Sequence, residues 1–312
     1  MEIISNTSSV FRNTELVATV GFFDGVHTGH RYLIEELIKT AKTENRLSAV
    51  VTFRAHPRKV LNNEFQPLLL TTFDEKTEQL ATTGIDYCIV LDFDLEMAKL
   101  GAFDFLNSVL YKQFNVRSLL VGHDHRFGRN RSEGFSEYHS YGVQIGINVL
   151  QAKRFVLPDH SHISSSDIRN ALKNGEVARA NKLLGYPYQL KGVVSDGFKI
   201  GRKIGFPTAN IQPTDFEKLI PSTGVYAVKV MVDNKMYGGM LNIGVRPTLE
   251  NGTDRSIEVN IFDFENDIYN REICVVFVAK IRDEVKFDSL EKLMLQLEFD
   301  KTTSQNILQN HI

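Results

Sequence analysis

The hydrophobic period changes part-way along this chain, and that change constrains the fold more than any single motif. In the first half, short apolar runs alternate with helical patterns. Leu16 to Phe22, Leu47 to Phe53, Tyr87 to Leu91, Ser118 to Gly122 and Gly146 to Leu150 read as strands. Between them Ile34, Leu37, Ile38 and Ala41 recur at helical offsets, and further helices are predicted over Asp74 to Thr83, Leu95 to Phe114 and Ser132 to Tyr141. Strand and helix in alternation predict an α/β unit whose parallel sheet is covered on both faces.

Two short helices follow, Asp167 to Lys173 and Glu176 to Leu184, split by the stop signal Asn174-Gly175. Beyond Gly185-Tyr186-Pro187 the period becomes two. Tyr226, Val228, Val230 and Val232 share a face, as do Ile257, Val259 and Ile261, and Ile273, Val275, Phe277 and Ala279. That pattern predicts antiparallel strands in a small barrel. A final helix is expected from Ser289 to Phe299, with Leu290, Leu293, Met294 and Leu297 on its apolar stripe. The expected domains are therefore 1–186 and 187–312.

Composition narrows the partners. The 312 residues carry 36 Lys and Arg against 38 Asp and Glu, a net charge of −2. No uniform basic field is available to grip nucleic acid, so small molecules are the expected partners. No apolar run approaches the ~18 residues that cross a bilayer. No basic-then-apolar leader opens the chain, so no membrane partner is expected and a cytoplasmic location is. Cys88 and Cys274 sit in apolar strand patterns and read as buried strand residues, not as a disulfide or a metal pair.

The first chemical constellation follows the first strand: Gly21-Phe22-Phe23-Asp24-Gly25-Val26-His27-Thr28-Gly29-His30. A strand end that opens a helix offers free N–H groups to an anion, and two histidines three apart can face a phosphate. Read alone, the pair is equally compatible with a turn carrying two surface histidines. The stretch resembles the opening motif of the prokaryotic bifunctional riboflavin kinase/FAD synthetase family, within the HxGH nucleotidylyltransferase superfamily. Further pieces match in order: Thr52-Phe53-Arg54-Ala55-His56-Pro57, Val121 to Gly128, and Ile163-Ser164-Ser165-Ser166-Asp167-Ile168-Arg169.

This resemblance implies a Rossmann-like FMN adenylyltransferase domain that uses ATP and releases pyrophosphate. His27 and His30 would stabilise the transferring phosphate. Gly21, Phe23, Gly29, Asp124, Ser164, Ser165 and Arg169 would surround the nucleotide. Arg54 stands where the family usually has an acidic residue, which implies altered flavin or metal handling. His56 reads as a packed loop histidine and His125 as an exposed one. The basic loop Arg126 to Arg131 reads equally as a solvated loop or as a lid over ATP.

The second constellation is Gly201-Arg202-Lys203-Ile204-Gly205-Phe206-Pro207-Thr208-Ala209-Asn210. Glycines let backbone wrap phosphates and cations neutralise them, although a glycine-rich hairpin explains the same residues. The segment resembles the riboflavin kinase signature, and Pro221 to Tyr226, Asn242 to Thr248 and Ile257 to Phe264 extend the match. By resemblance Gly201, Arg202 and Gly205 bind ATP, while Thr208 and Asn210 bind Mg²⁺ and phosphate. Glu258, on the face opposite Ile257 and Val259, becomes the general base for the riboflavin hydroxyl. Arg246 would contact flavin or phosphate. The whole chain would then convert riboflavin to FMN and FMN to FAD. A family member with a decayed adenylyltransferase site and a flavin-sensing regulator are the competing readings.

Overall fold

A six-stranded parallel sheet and a closed antiparallel barrel share the chain. The structure, a computed structural model, describes all residues except 6–13, 63–67, 124, 130–131, 157–162, 197–200, 202–203, 248–252 and 311–312, and only the backbone of 246–247 and 253–254. Two units divide it, Met1–Ser164 and Ser165–Ile312. The change of periodicity near Tyr186 lies past this division, because the two short helices group with the barrel.

In the first unit the strands are β1 (Glu2–Ser5), β2 (Leu16–Val20), β3 (Leu47–Phe53), β4 (Tyr87–Leu91), β5 (Val116–Val121) and β6 (Asn148–Gln151), in the order β1-β4-β3-β2-β5-β6. Every pairing is parallel. The chain winds outward from β2 through β3 and β4, then returns to β2's other side with β5. That reversal is a topological switch point, so the crevice beyond the carboxyl ends of β2 and β5 is the expected ligand site. The helices are α1 (Thr28–Thr43), α2 (Pro57–Leu61), α3 (Phe73–Ala81), α4 (Leu95–Lys99), α5 (Ala102–Asp104) and α6 (Phe135–Ile145).

Several boundaries differ from the sequence reading. The helix expected over Leu95 to Phe114 breaks at Leu100, whose backbone is extended, and resumes as α5 and a π-helix, Phe105–Gln113. Gly146 is not strand: at φ +87° it ends α6 in the left-handed conformation that glycine adopts without strain. β1 went unpredicted because four residues carry too little pattern.

The second unit opens with α7 (Ser165–Lys173) and α8 (Val177–Leu184), separated by Gly175 at φ +79°. α8 packs on the barrel through Asn181, whose amide Nδ2 donates to the Phe277 carbonyl at 2.9 Å. The barrel runs β10-β11-β8-β7-β12-β9, from β7 (Gln189–Ser195), β8 (Ala209–Pro213), β9 (Gly224–Val232), β10 (Lys235–Pro247), β11 (Thr253–Ile261) and β12 (Glu272–Arg282). Tyr226, Val228, Val230, Val259, Val275 and Phe277 fill it, as the period-two pattern predicts. Cys88 is buried on β4, whereas Cys274 on β12 is only half-buried and lies 3.3 Å from Gln189 Oε1.

The terminal helix α9 (Leu290–Gln309) runs ten residues past the expected end at Phe299. The sequence stripe stopped there because Asp300 interrupts it. Asp300 is nevertheless fully buried, held by Arg282 at 2.7–3.0 Å through both carboxylate oxygens and by Gln296 at 2.8 Å.

Candidate functional site

The loop from β2 to α1 places two imidazoles in contact. Phe23, Gly25 and Val26 take φ of +55°, +80° and +35°, so the chain coils tightly before entering the helix. Gly25 fits without strain, but two bulky residues in this region require support from outside the loop. Asp24 supplies it. Its buried carboxylate accepts the Leu70 N–H at 3.0 Å and the Thr71 N–H at 3.1 Å, while the Gly25 N–H donates to the Thr71 hydroxyl at 3.0 Å.

His27 is then the N-cap of α1 and accepts the His30 N–H through Nδ1 at 3.3 Å. The two rings stack, 3.6 Å between centroids and 18° apart. Phe23 packs edge-on against His30 at 5.1 Å. A Cβ at Gly21 would meet the Phe23 ring at 2.9 Å, and one at Gly29 would meet the His27 ring at 3.3 Å, so both glycines are places of close approach.

Burial holds the His30 imidazole well below its usual value, with His27 and then His125 adding repulsion. Its Nδ1 is buried without a hydrogen-bond partner among the described residues. His30 thus stands at a helix N-terminus, stacked on His27, with its imidazole pushed toward the neutral form. His125 is half-buried and acts on His30 electrostatically, which corrects its reading as an exposed histidine. His56 is the packed loop histidine expected: it caps α2 by accepting the Arg58 N–H and meets Phe22 edge-on at 4.7 Å. Arg54 lies 4.6 Å over the Phe73 ring and 3.6 Å from Asp92.

The other residues assigned by resemblance are placed as follows. Asp124 and Arg202 lie outside the described residues, as does the side chain of Arg246. Ser164 ends the first unit, and Ser165 and Arg169 lie in the first turns of α7. In the basic loop, Phe127 stacks on Tyr138 at 4.1 Å and exchanges backbone hydrogen bonds with its hydroxyl.

In the barrel, strand register brings the chemistry together. Asn242 on β10, Glu258 on β11 and Asn210 on β8 stand opposite one another across three neighbouring strands, so their side chains leave the same face. Thr208 reaches this row, its hydroxyl donating to Glu258 Oε2 at 3.5 Å. Asn260, two residues on, is buried and donates to the Pro207 carbonyl at 2.7 Å, fixing the Phe206 to Asn210 turn. The turn is closed by Gly201, whose carbonyl accepts the Phe206 N–H at 2.9 Å; a Cβ there would collide with the Phe206 oxygen at 2.2 Å. Gly205 has φ +83°.

Glu258, Asn242, Thr208 and Asn260 line a cavity of about 280 Å³ whose far side is α9 and the segment before it, including Val285, Phe287, Leu293 and Leu297. The strand side carries the Glu258 carboxylate, and the α9 side combines the apolar Val285, Phe287, Leu293 and Leu297 with the charged Glu284 and Asp300. Sequence reasoning missed the place of Asn242 beside Glu258, the Arg282–Asp300 pair and the cavity-lining Val285 and Phe287. Asp300 had a signal: Leu297, Asp300, Ser304 and Leu308 fall on one helical stripe, where an acid demands a buried partner.

The FAD synthetase family pattern matches residues 11–167 and the riboflavin kinase pattern residues 184–308. A bifunctional riboflavin kinase/FMN adenylyltransferase from Escherichia coli strain K12 is 37% identical over 93% of this chain and 91% of its own. One from Buchnera aphidicola subsp. Schizaphis graminum is 35% identical over 92% of each. The chain belongs to the bifunctional riboflavin kinase/FMN adenylyltransferase family. A crystal structure described as a macrolide-efflux protein from Streptococcus pneumoniae also superposes, with a TM-score of 0.88 at 31% identity over 97% of this chain and 99% of that one. No helix among the described residues here is long and apolar enough to cross a membrane. For this family the α/β unit with its HxGH loop and the six-stranded barrel with its terminal helix are the two catalytic folds, in the order the sequence predicted.

Proposed function

We propose that this chain performs two successive ATP-dependent transfers on one flavin, with residues 1–186 carrying adenylyl transfer and 187–312 carrying phosphorylation. The observation that carries the reading is Glu258, which lines a part-apolar cavity with Thr208 and Asn242 and stands in register with Asn210 on the neighbouring strand. A flavin ring suits the apolar Val285, Phe287, Leu293 and Leu297 of this lining, which sets its ribityl hydroxyl near the carboxylate. Glu258 takes that hydroxyl's proton as the oxygen attacks the γ-phosphorus of ATP, and FMN and ADP result. Gly201, Arg202 and Gly205 hold the ATP phosphates, and Arg246 contacts flavin or phosphate.

Thr208 Oγ1 and the Asn210 amide oxygen are hard donors beside a carboxylate, which fits Mg²⁺, an ion that takes few protein ligands and completes its shell with phosphate and water. Bound there, Mg²⁺ neutralises phosphate charge. The described residues hold no cluster of three or more His, Cys, Asp or Glu that would suit a metal of its own.

In the first unit the FMN phosphate attacks the α-phosphorus of a second ATP, giving FAD and pyrophosphate. Such a transfer needs positioning and charge stabilisation more than a nucleophile. His27 and His30, at the helix N-terminus, supply donors to the phosphorane-like oxygens, with Gly21, Phe23 and Gly29 shaping the loop. Asp124, Ser164, Ser165 and Arg169 are assigned to the nucleotide from the family motif. The reaction belongs in the cytoplasm, with riboflavin, FMN, FAD and ATP as partners and no nucleic acid. Supplying FMN and ATP to the purified chain tests the first unit, and riboflavin and ATP the second; absence of either product refutes the corresponding assignment.

A further inference from the structure

α3 carries an ionisable residue where its sequence calls for an apolar one. Phe73, Lys76, Thr77 and Leu80 form its inward stripe, and Lys76 is 2% exposed. Its ammonium donates to the Phe53 carbonyl at 2.7 Å, the Phe22 carbonyl at 3.3 Å and the Thr52 hydroxyl at 3.3 Å. Thr52 passes a hydrogen bond on to the Phe22 carbonyl at 3.1 Å. The Phe22 ring lies 4.2 Å from the ammonium and the Phe73 ring 5.5 Å. All three N–H donors are therefore used, and a neutral amine, with two, could not satisfy the same three acceptors.

The acceptors are informative because of where the chain goes next. Phe22 leads into the loop carrying His27 and His30, and Thr52 and Phe53 lead into Arg54-Ala55-His56-Pro57. Just upstream of α3, Leu70 and Thr71 hold Asp24. One short segment thus grips the histidine loop on both sides of Phe23, at Phe22 and at Asp24. We propose that Lys76 is a positioning residue for adenylyl transfer, whose full ammonium locks the ends of β2 and β3 so that the strained histidine loop keeps its geometry. This rests on the proposal that the first unit makes FAD from FMN.

Burial brings the Lys76 ammonium down from 10.5 to about 8, opposed by the charge of Asp24 in the loop after β2. Cys88, itself pushed up to about 11, is a neutral thiol across this range. Arg54 faces the same Phe73 ring, His56 packs on Phe22, and Glu75 is engaged in capping Thr72. The folded value lies below the unfolded one, so between pH 8 and 10.5 the unfolded chain binds more proton here and stability rises with pH through this group. Losing the clamp's proton therefore lowers rate without promoting unfolding.

The test compares both activities of the full chain from pH 7 to 9.5, in wild type and in Lys76→Met. Wild-type FAD formation should fall with an apparent pKa near 8, while FMN formation, using the same Mg-ATP, should not follow it. Lys76→Met should lower kcat for FAD formation about 10- to 100-fold, with KM changed far less, and should lack the alkaline limb. A Lys76→Met enzyme with wild-type kcat, or one that retains the limb, overturns the inference. If that variant does not fold, the wild-type contrast decides, and parallel pH profiles for the two activities overturn it. No FAD from the wild type at any pH would refute the adenylyl-transfer reading itself.

Discussion

The two candidate sites, both proposed to hold a polyphosphate, are built of opposite materials. The α/β unit uses a strained loop and a helix N-terminus, and burial pushes its His30 imidazole toward the neutral form. The barrel uses unstrained strand register, which aligns Asn210, Glu258 and Asn242 by pairing alone. The difference follows the chemistry. Adenylyl transfer from a phosphate nucleophile needs no base, and in the proposed assignment the loop supplies donors and shape. Phosphorylating a hydroxyl needs a proton acceptor, and in the proposed assignment the barrel supplies it as a carboxylate on a rigid strand. A strained loop has to be braced from outside, by Asp24 and Lys76; a strand residue is braced by its neighbours.

The contrast breaks most sharply at Glu258. Glu258→Gln should lower FMN formation by roughly 10²- to 10⁴-fold while FAD formation from supplied FMN is unchanged, as separated product assays would read. Next is Asp300→Ala, which leaves Arg282 without its buried carboxylate partner. It should cost the barrel unit about 3–5 kcal/mol, seen as a lower urea midpoint in a barrel reporter with the α/β transition unmoved.

His27→Ala removes the cap and the proposed phosphate donor; FAD formation should drop about 10²- to 10³-fold with FMN formation intact. Both activities falling together in either single-site variant would collapse the two-site account. The smallest effect is pH-linked. Folded His30 holds fewer protons than unfolded histidine below pH about 6.5, so stability of the α/β unit should fall as pH drops from there toward the lowered value. His30→Asn should flatten that slope in acid melts, and the barrel transition should not respond.

Much of this was legible in the sequence because the residues obey one period at a time. Val228, Val230, Val259 and Phe277 alternate as a barrel interior must, and Ile34 and Leu37 mark the buried face of α1. The His27 to His30 pair and the Thr208, Asn210 and Glu258 set were readable as motifs. What escaped were residues whose partners are distant in sequence. Asn242 gains meaning only through the register that sets it opposite Glu258. Lys76 and Asp300 violate the stripes they sit on, and a pattern scored for hydrophobicity treats each violation as an end or a defect. Each is instead the point where a helix is fastened to a site. His125 read as exposed because its loop is polar, whereas its proximity to His30 depends on β5 returning beside β2.

The most direct measurement follows riboflavin through the purified wild-type chain with Mg-ATP, separating flavins over time. Two working sites predict FMN rising first and FAD appearing from it with one pyrophosphate per FAD, and FAD forming equally from supplied FMN. FMN accumulating with no FAD from either substrate would contradict the account, leaving the barrel as the sole active site and Arg54 as the residue to examine.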